Sequence, residues 1–186
     1  MKSVKLGLLV GIAVFSGCKD GNTESINEQK VSLGETLYSD TSLSANGTMS
    51  CATCHELSDA LIDPRVTSMT LGGSLGDDGV SIGDRNAPTA GYASFSPVFH
   101  HDDVEGLYIG GQFLDGRAKD LKVQAKGPFL SAVEMGMSSV SEVIARIREN
   151  TSYIGRFKKI YGDDIFENEN SAFDAIASFE SSQTFA

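Results

Sequence analysis

The sequence predicts a mostly α-helical domain whose middle is a long, glycine-rich stretch folded around a large bound group. Three observations predict this. Apolar residues recur at helical spacing near the front and again through the C-terminal part. Between about Leu57 and Gly116 that periodicity fades and Gly recurs, as in "TLGGSLGDDGVSIGD" and "YIGGQF". Two of the three cysteines and one of the three histidines fall within five consecutive residues, "CATCH".

The chain opens on "MKSVKLGLLVGIAVFSGC", with Lys2 and Lys5, an apolar run from Leu6 to Phe15, and then small residues before Cys18. The run is too short to cross a bilayer, which needs about 20 residues, and it reads as a secretory signal peptide over residues 1–17. Ser16-Gly17 before Cys18 resembles a bacterial lipobox, so Cys18 is expected to be the lipidated first residue of the mature chain. Ordinary cleavage near Gly17, leaving a free thiol, is the alternative. The next stretch, residues 18–30, is polar and lacks apolar periodicity; it reads as a tether holding residues 31–186 off a membrane. Localisation is therefore expected to be periplasmic and lipid-anchored. The net charge is −10 with basic residues scattered, which argues against nucleic-acid binding.

The helices follow in order. "QKVSLGETLYSD" sets Leu33 and Leu37 one turn apart. "SSVSEVIARIREN" places Val140, Val143, Ile144 and Ile147 on one face, with Ser139 and Glu142 at capping-box spacing. "SYIGRFKKIYG" aligns Ile154, Phe157 and Tyr161, and Gly162 ends it. "SAFDAIASFESS" repeats the pattern with Ala172, Ile176 and Phe179. All of these stripes are expected to be core. The middle differs, because long irregular loops are uncommon in compact domains unless they serve a site.

"CATCH" is C-x-x-C-H: Cys51, Cys54 and His55. This is the attachment motif of c-type haem, in which two thiols form thioethers at one porphyrin edge and the adjacent imidazole binds the iron from the proximal side. A redox dithiol is disfavoured because no βαβ pattern surrounds it, and a structural zinc site because no second cysteine pair exists. The fold class thus reads as a mostly α, c-type cytochrome domain with long Gly-rich loops wrapped around one covalent haem.

Further motifs occur in a telling order: "LGETLYSDTSLSANGTMSCATCHELS", "GDRNAPTAGYASFS", "GGQFLDGRAKDLKVQAKGPFLSAVEM" and "AFDAIASFE". From about Leu33 to the end, the chain resembles the N-terminal haem domain of the bacterial di-haem cytochrome c peroxidase family, which includes MauG-like enzymes. The resemblance implies hydrogen peroxide as substrate and an electron-donor protein, such as a small cytochrome or cupredoxin, as partner. It implies that Gln124 and Glu134 are the distal-pocket glutamine and the catalytic glutamate, with Pro128 lining the pocket. It makes Asn86 a candidate calcium ligand, although one Asn oxygen falls far short of the six to eight that calcium takes.

The chain departs from the family pattern in three ways. The second C-x-x-C-H domain is absent, since the sequence stops at "FESSQTFA" where family members continue. Leu114 stands where many members have Trp between the haems. No histidine lies between His55 and His100, so the loop histidine that caps the resting iron in some members is missing; Asp77 and Asp78 fall near its place. His100, His101, Met135 and Met137 are alternative iron ligands, each with a competing role in loops or packing. Asp115 and Arg117 pair locally, or Arg117 meets a haem propionate. The function expected is peroxide reduction. A non-enzymatic single-haem electron carrier, or a fragment of a di-haem MauG-like oxidase, is the alternative.

Overall fold

In the computed structural model, residues 24–163 and 170–186 are described. The signal peptide and Cys18 lie outside the described residues. Helix α1 runs Ile26–Tyr38, so it begins inside the segment expected to be a tether. The reason is a capping box: Glu28 N–H donates to Ser25 Oγ at 3.2 Å, and Ser25 N–H donates to Glu28 Oε2 at 2.7 Å. Ser25-x-x-Glu28 is legible in the sequence as a helix start.

After α1 comes a single turn, α2 (Cys51–Cys54). The middle of the chain has short 3-10 turns and one antiparallel hairpin, β1 (His100–Asp102) with β2 (Leu107–Ile109), in register His100 to Ile109. Helices return with α3 (Leu121–Leu130), α4 (Val140–Glu149), α5 (Thr151–Tyr161) and α6 (Ser171–Glu180).

The expected core stripes are largely observed. Leu33, Leu37, Val140, Val143, Ile144, Ile147, Phe157, Ala172, Ile176 and Phe179 are all buried in one cluster. Burying a side chain such as Leu37 contributes roughly 1.5–3 kcal/mol. On α5 the buried pair is Tyr153 and Phe157, while Ile154 is only half-buried. The reason is that the Tyr153 hydroxyl reaches Asp40 Oδ2 at 2.6 Å, which lets a tyrosine turn inward. Ser139 caps α4 through Glu142 N–H, but the Glu142 carboxylate turns to Ser138 instead of completing the box on Ser139.

α1 packs along α6, and the fit is close enough that a Cβ on Gly34 would stand 2.0 Å from the Ala175 carbonyl oxygen. Lys30 on α1 pairs with Asp174 on α6 at 2.7 Å. Tyr38, Phe179 and Phe185 close the end of this pair edge to face, with centroids 5.0–5.5 Å apart. No helix among the described residues is long and apolar enough to cross a membrane.

Candidate functional site

The single turn α2 places both thiols one turn apart beside the core, and His55 follows it directly, its N–H bonded to the Cys51 carbonyl at 2.9 Å. Ser50 N–H donates to Thr53 Oγ1 at 2.9 Å and fixes the start of the turn. His55 Nδ1 lies 3.1 Å from the Leu61 carbonyl oxygen. A carbonyl only accepts, so Nδ1 carries the proton, and the Pro88 carbonyl also bears on the ring. The loop supplying that carbonyl is unusual. Ala60 and Leu61 both sit in the left-handed region, at φ 53° and 59°. An antiparallel bridge between Glu56 and Ile62 closes the loop. Burial pushes the His55 pKa down, which keeps the ring neutral and able to ligate.

Burial also pushes both thiols up, Cys54 to about 11 and Cys51 higher still. Reactive dithiols have lowered thiol pKa values, so these two do not suit thiol–disulfide exchange. Glu180 Oε2, whose carboxyl bears on Cys51, is buried with no hydrogen-bond partner among the described residues. An orphaned buried polar atom marks a site that a further group completes. With His55 directly after the two thiols, it fits a haem held at Cys51 and Cys54. Arg65 also meets this edge, which sequence reasoning missed. It forks onto buried Asp63, with Nη2 to Oδ2 at 2.7 Å and Nε to Oδ1 at 2.9 Å, and its Nη2 lies 3.4 Å from Cys54 Sγ. Nothing in "DPR" announces a cysteine eleven residues earlier.

Glu134 is brought toward this turn. It stands in the tight turn after α3, whose last carbonyls are taken by that turn: Met135 N–H bonds Pro128 O at 3.1 Å and Met137 N–H bonds Phe129 O at 2.8 Å. Pro128 lies in the last turn of α3 and lacks an N–H, so the helix loosens there and the chain folds back. Glu134 is half-buried, and burial pushes its carboxyl above the ordinary value, partly opposed by Ser131 and Arg117. Its charge in turn acts on both Cys51 and Cys54, so carboxyl and cysteines share one neighbourhood. Gln124 is half-buried on α3, and no hydrogen bond among the described residues joins it to Glu134.

Other candidates fall elsewhere. Met135 and Met137 are buried in the core. His100 and His101 are exposed on β1, bonded to the Val98 carbonyl at 2.8 Å and to Asp103 Oδ1 at 2.7 Å. Arg117 pairs with Asp115 at 2.7 Å and lies 3.8 Å over the Phe113 ring. Asn86 is exposed in an open groove with Asp84 and Arg85. No group of three or more His, Cys, Asp or Glu gathers for a metal among the described residues. Asp78 is exposed and bonded within its own turn to Ser81, while Asp77 is buried. Leu114 is 93% exposed, with no aromatic in its place.

Known proteins resemble this chain over most of its length. Residues 28–186 match the family model for di-haem cytochrome c peroxidase. The chain is 49% identical over 145 residues to the methylamine utilization protein MauG of Paracoccus denitrificans, covering 78% of this chain and 37% of that protein. It is 41% identical over 152 residues to the cytochrome c peroxidase Ccp of Escherichia coli, covering 82% of this chain and 28% of that protein. The structure resembles the di-haem peroxidase BthA of Burkholderia thailandensis, with a TM-score of 0.74 and 26% identity, over 84% of this chain and 39% of that one. The chain thus spans well under half the length of the relatives it matches.

Proposed function

The chain belongs to the di-haem cytochrome c peroxidase family, and from that premise we propose that its site reduces hydrogen peroxide to water with electrons from an external donor protein. The observation that carries this reading is Glu134, a half-buried carboxyl with a raised pKa beside the C-x-x-C-H turn. When bound, the haem supplies the iron at which peroxide is reduced. Cys51 and Cys54 would hold it covalently, and His55, its ring fixed by the Leu61 carbonyl, would ligate the iron. The Glu134 carboxylate takes a proton from one peroxide oxygen and delivers it to the other, which then leaves as water. Two electrons and two protons in all convert each peroxide to two waters, and the donor, a small cytochrome or cupredoxin, provides the electrons. Burial raises the Glu134 pKa toward the working pH, which suits a group that must both accept and give a proton. Export, a lipid anchor at Cys18 and a calcium ion at Asn86 belong to the same proposal.

A non-enzymatic electron carrier is the second reading, and the exposed Leu114 favours it. Mixing peroxide with haem-loaded protein from a strain that matures c-type cytochromes separates the two. Haem retained after denaturation, a five-coordinate resting spectrum and a rapid spectral change with peroxide are expected. A low-spin spectrum that excess peroxide leaves unchanged rules out the peroxidase.

A further inference from the structure

Three segments remote in sequence meet at one buried residue, Asp77, which is 5% exposed. Oδ1 accepts from Ser44 Oγ at 2.6 Å and from Thr48 N–H at 3.1 Å, and Oδ2 accepts from Asn46 N–H at 2.5 Å. The Thr48 hydroxyl lies 2.7 Å from Oδ1 and 2.8 Å from the Asp77 carbonyl oxygen. The main chain of Asp77 turns the other way, its N–H donating to the Glu134 carbonyl at 2.9 Å. Two further contacts close the joint. Ala45 N–H bonds the Met135 carbonyl at 2.8 Å. Gly76 abuts the Val133 backbone so closely that a Cβ would stand 2.8 Å from Val133 O.

The first segment, residues 44–48, leads directly into the C-x-x-C-H turn. Arg146 of α4 grips it from the opposite side through the carbonyls of Ser42, Ser44 and Ala45. Asp77 thus takes the hydroxyls and amides of this segment while Arg146 takes its carbonyls. Burial works against the Asp77 charge, but the bonds from Ser44, Thr48 and Asn46 outweigh it and hold the carboxyl at about 2. It is charged at any working pH.

We propose that Asp77 is a positioning residue that sets the distance between Glu134 and the haem-attachment turn. The proposal rests on the catalytic reading of Glu134. Proton transfer needs hydrogen-bond reach, and a misplacement of about 1 Å costs on the order of 10²-fold. One residue tied to both segments, by its carboxylate to 44–48 and by its main-chain N–H to Glu134, supplies that tolerance.

The test uses haem-loaded Asp77→Asn, in which an NH₂ group must meet donors. The peroxide rate is measured against pH, together with amide exchange in residues 44–48 and 133–136. In the parent, the rate should fall on the acid side through a pKa above the ordinary Glu value. The groups bearing on that carboxyl are Arg117, Asp84, Ser131 and the two cysteines, which become thioethers when haem is attached. In Asp77→Asn a loss of roughly 10²-fold is expected. The acid limb should shift down as Glu134 becomes hydrated, and both segments should exchange faster. An unchanged pH profile, whether the rate holds or falls in step with haem content, overturns the proposal. If Asp77→Asn fails to fold, Ser44→Ala removes a single bond and should move the same limb by less; no movement overturns the proposal. If Glu134→Gln proves as fast as the parent, the catalytic reading fails by itself. Amide exchange then decides alone: faster exchange in both segments of Asp77→Asn upholds the joint, and no change overturns it.

Discussion

Glu180 shows what one buried acid costs. It is 7% exposed, its Oε2 has no partner among the described residues, and burial raises its pKa to about 8. An acid whose folded pKa lies above its unfolded value is neutral in the native state while the unfolded chain ionises. Stability is therefore lost as pH rises from about 4.5 to about 8, and is flat outside that window. Glu180→Gln keeps the size and removes the ionisation. It should stabilise the protein at pH 7.5 by about 4 kcal/mol and leave it unchanged at pH 4. Urea unfolding at the two pH values checks this; equal stability at pH 7.5 would show that the carboxyl finds a partner in the loaded protein. Asp77 is the opposite case at the same scale. Both carboxyls are buried, yet four donor groups around one and none around the other separate their pKa values widely. Neither fate is legible in sequence, because Asp77's donors come from 29 to 33 residues away.

At the scale of elements, glycines on helices carry opposite predictions. Gly34 of α1 lies against the α6 backbone, and an added methyl would collide with the Ala175 carbonyl, which cannot rotate away. Gly34→Ala should cost about 3 kcal/mol and lower the urea midpoint. Gly155 of α5 has nothing within 4 Å of its missing Cβ. Gly155→Ala should stabilise by about 0.4–1 kcal/mol through helix propensity and reduced unfolded-state freedom. A Gly34→Ala variant as stable as the parent would mean that α1 and α6 sit further apart than described here. The helices themselves were legible because 3.6-residue periodicity and caps are local signals. The stripes of α4 and α6 lie in the core as their periodicity predicts, and the Ser25–Glu28 box starts α1 inside the stretch expected to be a tether. The hairpin at 100–109 was not legible: its strands are exposed except for half-buried Asp102 and Ile109, so no alternation of buried and exposed positions marks them.

At the scale of the whole molecule, the sequence motif delivers Cys51, Cys54 and His55 because attachment chemistry needs adjacent residues. It cannot deliver the geometry around them, which comes from long-range packing. The Leu61 carbonyl that fixes His55, the Arg65–Asp63 pair at Cys54 and the Asp77 joint to Glu134 each arise from folded loops. Glu134 was found through family resemblance, not periodicity, since a lone carboxylate after a proline carries no local signal. The chain covers 37% of the MauG protein it matches and 28% of the Ccp protein, so the site described here is one part of a longer design in those relatives. Within this chain, everything converges on one carboxyl beside one haem-attachment turn. The most direct measurement is a stopped-flow comparison of haem-loaded parent and Glu134→Gln after mixing with hydrogen peroxide. Loss of the acid–base group should slow the peroxide step by about 10²–10⁴-fold while haem content and resting spectrum stay the same. A Glu134→Gln variant that reacts as fast as the parent contradicts the role assigned to Glu134.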